Sequence, residues 1–326
     1  MSNNDIIVVG TSAGGVDALQ KLAQQFPPDL AAAVFVVLHT SSESPGLLPE
    51  ILDRAGNLTA KFAKDGEHIE TGTIYVAPAN QHLLVKKGYV RLSRGPRENR
   101  ARPAIDPLFR SAAAAYTTRV VGVILTGFLD DGAAGLAAIK KCGGTAVVQD
   151  PNDAAFPDMP QSALELVEAD YVAPLSAMGK ILEKITSEKA KENGYVPPEI
   201  IMEANIAEET MSNIPKENRL GDLVPFGCPE CGGPLWQMET DKSRRFRCHV
   251  GHGYTARSLI AEQDESIERA LWAAMRAMEE RANIVTTMAK DERKNGRDKS
   301  AELYEERAEE SRTHAAALRK LLVENV

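Results

Sequence analysis

Three short runs of this chain are apolar without interruption: Ile6 to Val9, Ala33 to Leu38 and Val120 to Leu125. A strand with one solvated face alternates apolar and polar side chains. A continuous run of this length predicts a strand buried on both faces, as in a parallel sheet between helical layers. Further β-rich runs fall at residues 73–77, 89–92, 145–149 and 170–172, with helical stretches such as Val16 to Gln25 and Gly132 to Cys142 between them. Strands alternating with helices predict a doubly wound, mostly parallel α/β sheet over residues 1–185. Tyr89 to Leu92 follows Lys87 and Gly88 and reads as an antiparallel hairpin at one sheet edge.

The pattern changes after residue 185. Residues 186–222 hold Pro197, Pro198 and Pro215 among many Glu and Lys and read as a linker with one short helix. A small module over 223–257 carries three cysteines. In 258–326, Ile267, Leu271, Ala274, Met278, Val285 and Met288 recur mostly at helical steps. After Asn295 and Gly296 the spacing resumes with Leu303, Ala308, Ser311, Ala315, Leu318 and Leu322. This predicts an antiparallel helical hairpin. Its apolar stripe must be buried against its own second helix, another copy of the chain or a partner.

The 326 residues are 43% hydrophobic and 26% charged, ordinary for a soluble protein. Net charge is −8, divided about −3 over residues 1–185 and about −5 over the rest, which argues against nonspecific nucleic-acid binding. The longest apolar run, Leu30 to Leu38, is far below the ~20 residues of a membrane span. No basic leader precedes the first strand, so the expected compartment is the cytoplasm. Cys142, alone beside Gly143 and Gly144, reads as a buried structural thiol.

Chemistry enters at the strand ends. Open α/β sheets build their sites at the carboxyl ends of their strands. Ser12, His39 and Asp131 each follow one of the three apolar runs. A serine hydroxyl needs a base to take its proton. An imidazole supplies it near neutral pH, and a carboxylate fixes the imidazole's tautomer. Taken singly, each residue has a plainer reading: a helix N-cap for Ser12, a hydrogen-bonded strand end for His39, dipole compensation for Asp130 and Asp131. Their convergence on one sheet edge favours the nucleophilic reading. The turn Gly10 to Gly15 lacks the dinucleotide spacing, and His39 stands where a ribose-binding carboxylate belongs. The α/β-hydrolase order of serine, acid and histidine is not followed either. His68 and His82, in polar loop surroundings, read as surface residues.

Residues 5–185 resemble the catalytic domain of chemotaxis receptor methylesterases, the CheB family. The resemblance rests on Gly10 to Gly15, His39, Ile74 to Pro78 with Asn80 and His82, Asn99 to Pro103 with Asp106 and Phe109, Gly122 to Gly127, Asp131 to Gly135, Phe156, Met159 and Pro160. It implies Ser12 as nucleophile, His39 as base and Asp131, rather than Asp130, as acid. It also implies the Phe128 N–H as oxyanion donor. Ala13 stands where the family commonly has threonine, which leaves no hydroxyl there. The implied reaction is hydrolysis of glutamate methyl esters on a methylated chemoreceptor or related signalling protein. The resemblance also implies glutamine deamidation as a candidate second activity, catalysis without a cofactor, and contact with the membrane only through the receptor. Eight Lys and Arg between Lys86 and Arg110 read as a solvated surface or as a cradle for an acidic helical substrate.

The family commonly carries an N-terminal receiver domain. This sequence begins at the catalytic first strand, so that switch is expected to be absent. Cys228, Cys231, Cys248 and His252 instead fit a tetrahedral, structural Zn²⁺ site of zinc-ribbon type, with His249 as the alternative fourth ligand. Arg244, Arg245, Arg247 and Lys242 make the ribbon locally basic, but the acidic helices that follow favour a protein partner over nucleic acid. A catalytically vestigial signalling scaffold that binds partners through ribbon and hairpin is the alternative reading of the whole; in either case the hairpin is a candidate surface for self-association.

Overall fold

The computed structural model describes residues 3–39, 46–191, 194–208, 221–238 and 244–324. Pro215 and Lys242 lie outside them. The three continuous apolar runs form β1 (Ile6–Thr11), β2 (Ala33–Leu38) and, further along, the strand Val120–Ile124, all buried along their whole length. Between β1 and β2 lies α1 (Gly15–Ala23); after β2 come α2 (Leu48–Ala55), β3 (Thr59–Phe62), β4 (Thr73–Val76), β5 (His82–Lys86) and β6 (Tyr89–Ser93). Then follow α3 (Ile105–Tyr116), β7 (Val120–Ile124), α4 (Ala133–Lys141), β8 (Thr145–Gln149), α5 (Asp158–Leu166), β9 (Tyr171–Ala173) and α6 (Leu175–Ser187).

The seven-stranded sheet has the order β3-β4-β2-β1-β7-β8-β9, and every neighbouring pair is parallel. Successive residues of β1 face opposite cores. Ile6 and Val8 pack with Phe35, Tyr75, Phe109 and Leu136; Ile7 and Val9 pack with Val34, Val36, Leu22 and Leu182. Helices therefore cover both faces, as the unbroken apolar runs require. The chain steps outward from β1 through β2 first and through β7 later, so strand order reverses at β1. That reversal opens a crevice at the carboxyl ends of the strands.

Two expectations change. The residues of Tyr89 to Leu92 do form a hairpin, β5 with β6, but it is a separate two-stranded unit rather than an edge of the main sheet. Its Leu83, Val85 and Val90 pack into the core below α3. Strand β3 has no counterpart in the sequence reading, because Thr59 to Phe62 is short, half-exposed and carries no apolar run. Cys142 is buried as expected.

Helix α7 (Pro198–Glu208) follows α6, and Ile200, Ala204, Ile206 and Ala207 on it are buried. The cysteine module is a four-stranded antiparallel sheet of β10 (Asp222–Gly227), β11 (Pro234–Met238), β12 (Arg245–Cys248) and β13 (Gly253–Thr255). Leu235, Phe246, Tyr254 and Leu259 form its small core with Cys228 and Cys248. All of this belongs to one compact unit, Met1–Leu259.

The second unit, Ile260–Val326, is a helical hairpin of α8 (Ala256–Lys294, which starts in the first unit) and α9 (Asp298–Glu324). Its seam runs through Met275, Ala282 and Ala289 on one helix and Ala301, Ala308, Ala315 and Leu322 on the other, all buried at seven-residue steps. Ion pairs Arg293–Glu305 (2.7 Å) and Arg319–Glu279 (2.6 Å) flank it. Heptad spacing of small residues lets the two backbones approach closely. Of the residues read as the stripe, Ala308, Ala315 and Leu322 lie in the seam and Leu271, Met278 and Leu318 pack against it, while Ile267 and Leu303 are 57% and 48% exposed. No helix among the described residues is long and apolar enough to cross a membrane.

Phe109 is fully buried where α3 meets the sheet. Phe109→Ala is expected to cost about 3–5 kcal/mol, read as a lower urea midpoint with an unchanged slope.

Candidate active site and metal centre

One residue past its strand, Ser12 donates its N–H to the Thr126 carbonyl at 3.0 Å, while the His39 N–H reaches the Thr11 carbonyl at 3.2 Å. Thr11 pairs with Leu38, so Ser12 and His39 occupy neighbouring positions at the ends of adjacent strands. Gly14, at φ 74°, turns the chain from β1 into α1. On the other side of β1, the loop after β7 brings Asp131 to the same edge. Asp131 Oδ2 lies 2.7 Å from His39 Nε2, with Asp131 2% and the ring 19% exposed.

Three further donors converge on that carboxylate. The Ile105 N–H meets Oδ2 at 2.6 Å, and the Asp106 N–H and the Asn99 side-chain amide meet Oδ1 at 3.2 and 2.9 Å. Burial pushes the Asp131 carboxyl up. The His39 bond, the Ile105 N–H and the Asn99 amide outweigh it and hold the group below the usual carboxylate range. A charged Asp131 accepts a proton-bearing Nε2, so the lone pair of His39 Nδ1 is left as the basic site. Among the described residues no hydrogen bond joins the Ser12 hydroxyl to this ring; such bonds often close only around substrate.

The segment after β7 passes close to the serine. A Cβ on Gly127 would stand 2.8 Å from Ser12 Cβ and 2.2 Å from Met159 Sδ, so only glycine permits this approach. The next N–H, on Phe128, and that of Ala13 have no partner among the described residues. The Phe128 ring, 53% exposed, stacks edge-on against Phe156 at 4.6 Å.

His82 is not at the surface. It is fully buried, with Nε2 2.9 Å from the Pro96 carbonyl and Nδ1 accepting the Ala104 N–H at 3.3 Å; burial lowers its pKa. Asn80 and Gln81 before it suggest a polar loop, but Leu83 to Val85 after it form the buried strand β5, whose packing beneath the 96–104 loop is not a local signal. The basic stretch is largely consumed internally. Arg110 is buried against Glu98, Arg91 pairs with Asp65 at 2.8 Å, and Arg97 with Glu230 at 3.3 Å. Asn99 and Asp106 entered the sequence reading without a role. Asp106 accepts the Gly132 and Gly135 N–H groups at 3.1 and 2.6 Å and pins the start of α4. Burial, then the Asp131 charge, pushes its pKa up.

In the cysteine module, one ligand atom from each of Cys228, Cys231, Cys248 and His252 lies within 4.8 Å of every other, a cluster that can hold a metal ion. His252 Nδ1 is 3.6 Å from Cys228 Sγ and 3.5 Å from Cys248 Sγ, and the sulfurs of Cys231 and Cys248 are 3.7 Å apart. Metal bonds of about 2.3 Å to sulfur and about 2.0–2.1 Å to nitrogen give tetrahedral edges of about 3.8 and about 3.6 Å, so the donor set fits a zinc-sized ion. His252, not His249, faces the sulfurs, and its Nε2 is held by Glu230 at 2.8 Å. Such a carboxylate fixes the orientation and tautomer of a ligating imidazole.

The ribbon is seated on the sheet domain through buried charge. Arg247 lies 3.2 Å from Glu98 and 3.4 Å from Glu203, and Arg245 grips Glu203 with two hydrogen bonds. Arg110 completes the cluster, touching Glu98 and lying 3.6 Å from Glu203. Burial raises the pKa of both glutamates, but the guanidiniums overcome it and hold both below the carboxylate range.

The sequence profile described as CheB methylesterase matches residues 7–182. The chain therefore belongs to the CheB methylesterase family. A putative protein-glutamate methylesterase/protein-glutamine glutaminase of Leptospira interrogans is 40% identical over 184 residues, covering 56% of this chain and 95% of that protein. The protein-glutamate methylesterase/protein-glutamine glutaminase of Geobacillus kaustophilus is 36% identical over 188 residues; the match spans 56% of this chain and 54% of that one. The crystal structure of the Thermotoga maritima CheB methylesterase catalytic domain superposes with a TM-score of 0.54 at 34% identity, covering 56% of this chain and 99% of that structure.

Glutamates whose pKa falls on folding add stability that is present above their unfolded values and lost as pH falls. The urea midpoint is expected to drop between pH 7 and pH 3. In Glu203→Gln it should start lower and fall less steeply; an identical slope in both proteins would refute the ionic account.

Proposed function

We propose that the chain hydrolyses γ-glutamyl methyl esters on a methylated chemoreceptor or related signalling protein, with Ser12 as nucleophile, His39 as base and Asp131 as acid. The observation that carries the reading is the 2.7 Å bond between His39 Nε2 and Asp131, with Ser12 on the adjacent strand end. Ser12 Oγ attacks the ester carbonyl while His39 Nδ1 takes its proton. The oxyanion is met by the N–H groups of Phe128 and Ala13, which no acceptor among the described residues uses. Collapse breaks the carbon–methoxy bond, and His39 returns the proton so that methanol leaves. A water molecule, deprotonated by His39, then opens the acyl-enzyme to free the glutamate carboxylate and Ser12. The same steps on glutamine release ammonia, the second activity named in the relatives. The setting is the cytoplasm, with the membrane met only through the receptor. The hairpin is the surface for self-association.

Methanol release from membranes bearing methylated receptors tests this. Ser12→Ala and His39→Ala should lose nearly all turnover with circular dichroism unchanged. Asp131→Asn should fall by on the order of 10²–10⁴, because the imidazole then sits in the wrong tautomer. Full activity in folded Ser12→Ala would remove it as nucleophile.

For the cysteine cluster we propose one Zn²⁺ held by Cys228, Cys231, Cys248 and His252. Four protein ligands close the coordination sphere, so the ion serves structure and takes no part in the ester chemistry. About one zinc per chain is expected by elemental analysis, and Cys228→Ser should lower that content and loosen the ribbon to proteases. Metal-free protein with an intact, protease-resistant ribbon would overturn the assignment.

A further inference from the structure

We infer that the ribbon positions the catalytic carboxylate through Asn99, whose side-chain amide joins Asp131 on one side to Thr255 and Ser258 on the other. The inference rests on the triad reading above, but its test does not depend on turnover. Asn99 Nδ2 donates to Asp131 at 2.9 Å and to Asp106 at 3.1 Å. Asn99 Oδ1 accepts the Thr255 N–H at 3.2 Å and the Ser258 hydroxyl at 3.1 Å. Both hydrogens and both lone pairs of the amide are thus used. Flipping the amide would turn its oxygen onto two carboxylates and its hydrogens onto two donors, so only one orientation is allowed.

The backbone is held from the same side. Asn99, at φ 49°, lies in the left-handed region, which costs a non-glycine residue energy unless its surroundings impose it. The Asn99 N–H bonds to the Gly253 carbonyl at 2.8 Å and the Gly253 N–H to the Arg97 carbonyl at 3.2 Å, so β13 pairs with the loop on both sides of Glu98. Thr255 and Ser258 are themselves locked together at the start of α8. The Ser258 N–H meets Thr255 Oγ1 at 3.0 Å and the Thr255 N–H meets Ser258 Oγ at 2.9 Å, a reciprocal helix cap. Thr255 Oγ1 also donates to Asp130 at 2.9 Å. Asn99 is buried, as are Thr255 and Ser258, so water does not substitute for these partners.

Asn99 is accordingly a positioning residue: it touches Asp131, not the reacting atoms. Loss of its N–H makes Asp131 a stronger acceptor for the imidazolium, so His39 should hold its proton to higher pH. The other titratable groups facing Asp131 are Asp106 at the start of α3, Asp130 next to Asp131 in the loop before α4 and His82 on β5; none changes in the variants below.

The test is the NMR titration of His39 in the full chain, read beside kcat and KM. Asn99→Ala should raise the His39 midpoint and lower kcat several-fold with KM unchanged. Ser258→Ala, remote from substrate, should move the midpoint in the same direction by less, and Ser258→Thr, which keeps the hydroxyl, should restore it. An unmoved His39 titration in folded Asn99→Ala would overturn the inference, as would one that shifts in Asn99→Ala but not in Ser258→Ala. Wild-type protein that releases no methanol while its His39 midpoint responds as expected would refute the esterase reading and leave this one standing.

Discussion

The arrangement at the heart of the first unit depends on a buried cluster of opposite charges. Glu98, Arg110, Glu203, Arg245 and Arg247 are each at most 8% exposed. They come from a loop, α3, α7 and the ribbon strand β12, four segments that lie far apart in the chain. An ion pair in such a place adds little over an apolar contact, but removing one partner strands a charge and costs about 3–5 kcal/mol. The cluster therefore acts as a constraint more than as a source of stability: sheet domain, α7 and ribbon are each incomplete without the others.

The site inherits that constraint. Asp131 has its acceptor capacity divided among His39, the two backbone N–H groups that open α3 and Asn99, three separate segments of the chain. A buried carboxylate is tolerated because every lone pair is used, and the same donors fix the direction in which it faces the imidazole. The residue beside Glu98 in the chain is Asn99, so the loop that carries the buried glutamate also carries the amide that donates to Asp131. Seating the ribbon and orienting Asp131 are one structural event. The segment that matches 95% of one relative and about half of another does not include the ribbon, yet Thr255 and Ser258 beside the ribbon bond to Asn99, which meets Asp131.

Much of this was legible beforehand where the signal was local. Continuous apolar runs announced buried parallel strands, because a strand covered on both faces leaves no polar side to alternate with. That Ser12, His39 and Asp131 meet was legible because strand ends of a parallel sheet share one edge. The cysteine spacing announced a ligand cluster, because a tetrahedral ion demands short knuckles. Strand β3 escaped because an exposed edge needs no apolar pattern. His82 was misread because its burial comes from the 96–104 loop, not from its neighbours in sequence. In the hairpin, the stripe Ala308, Ser311, Ala315 and Leu322 of the second helix is buried as its spacing predicts, whereas on the first helix Met275, Ala282 and Ala289 form the seam in place of Ile267 and Met288.

By itself the sequence determined the element types, the strand-end chemistry and the metal-type donor set, since each depends on spacing within a few residues. Tertiary structure alone decided which histidine faces the sulfurs, that Lys86, Arg91, Arg97 and Arg110 of the basic stretch are spent on internal pairs, and that Asn99 bridges the ribbon to Asp131. Those outcomes depend on contacts between segments such as Asn99 and Ser258, 159 positions apart. Hydrogen bonds and buried charges are satisfied in space, and periodicity along a chain carries no record of the partner that satisfies them.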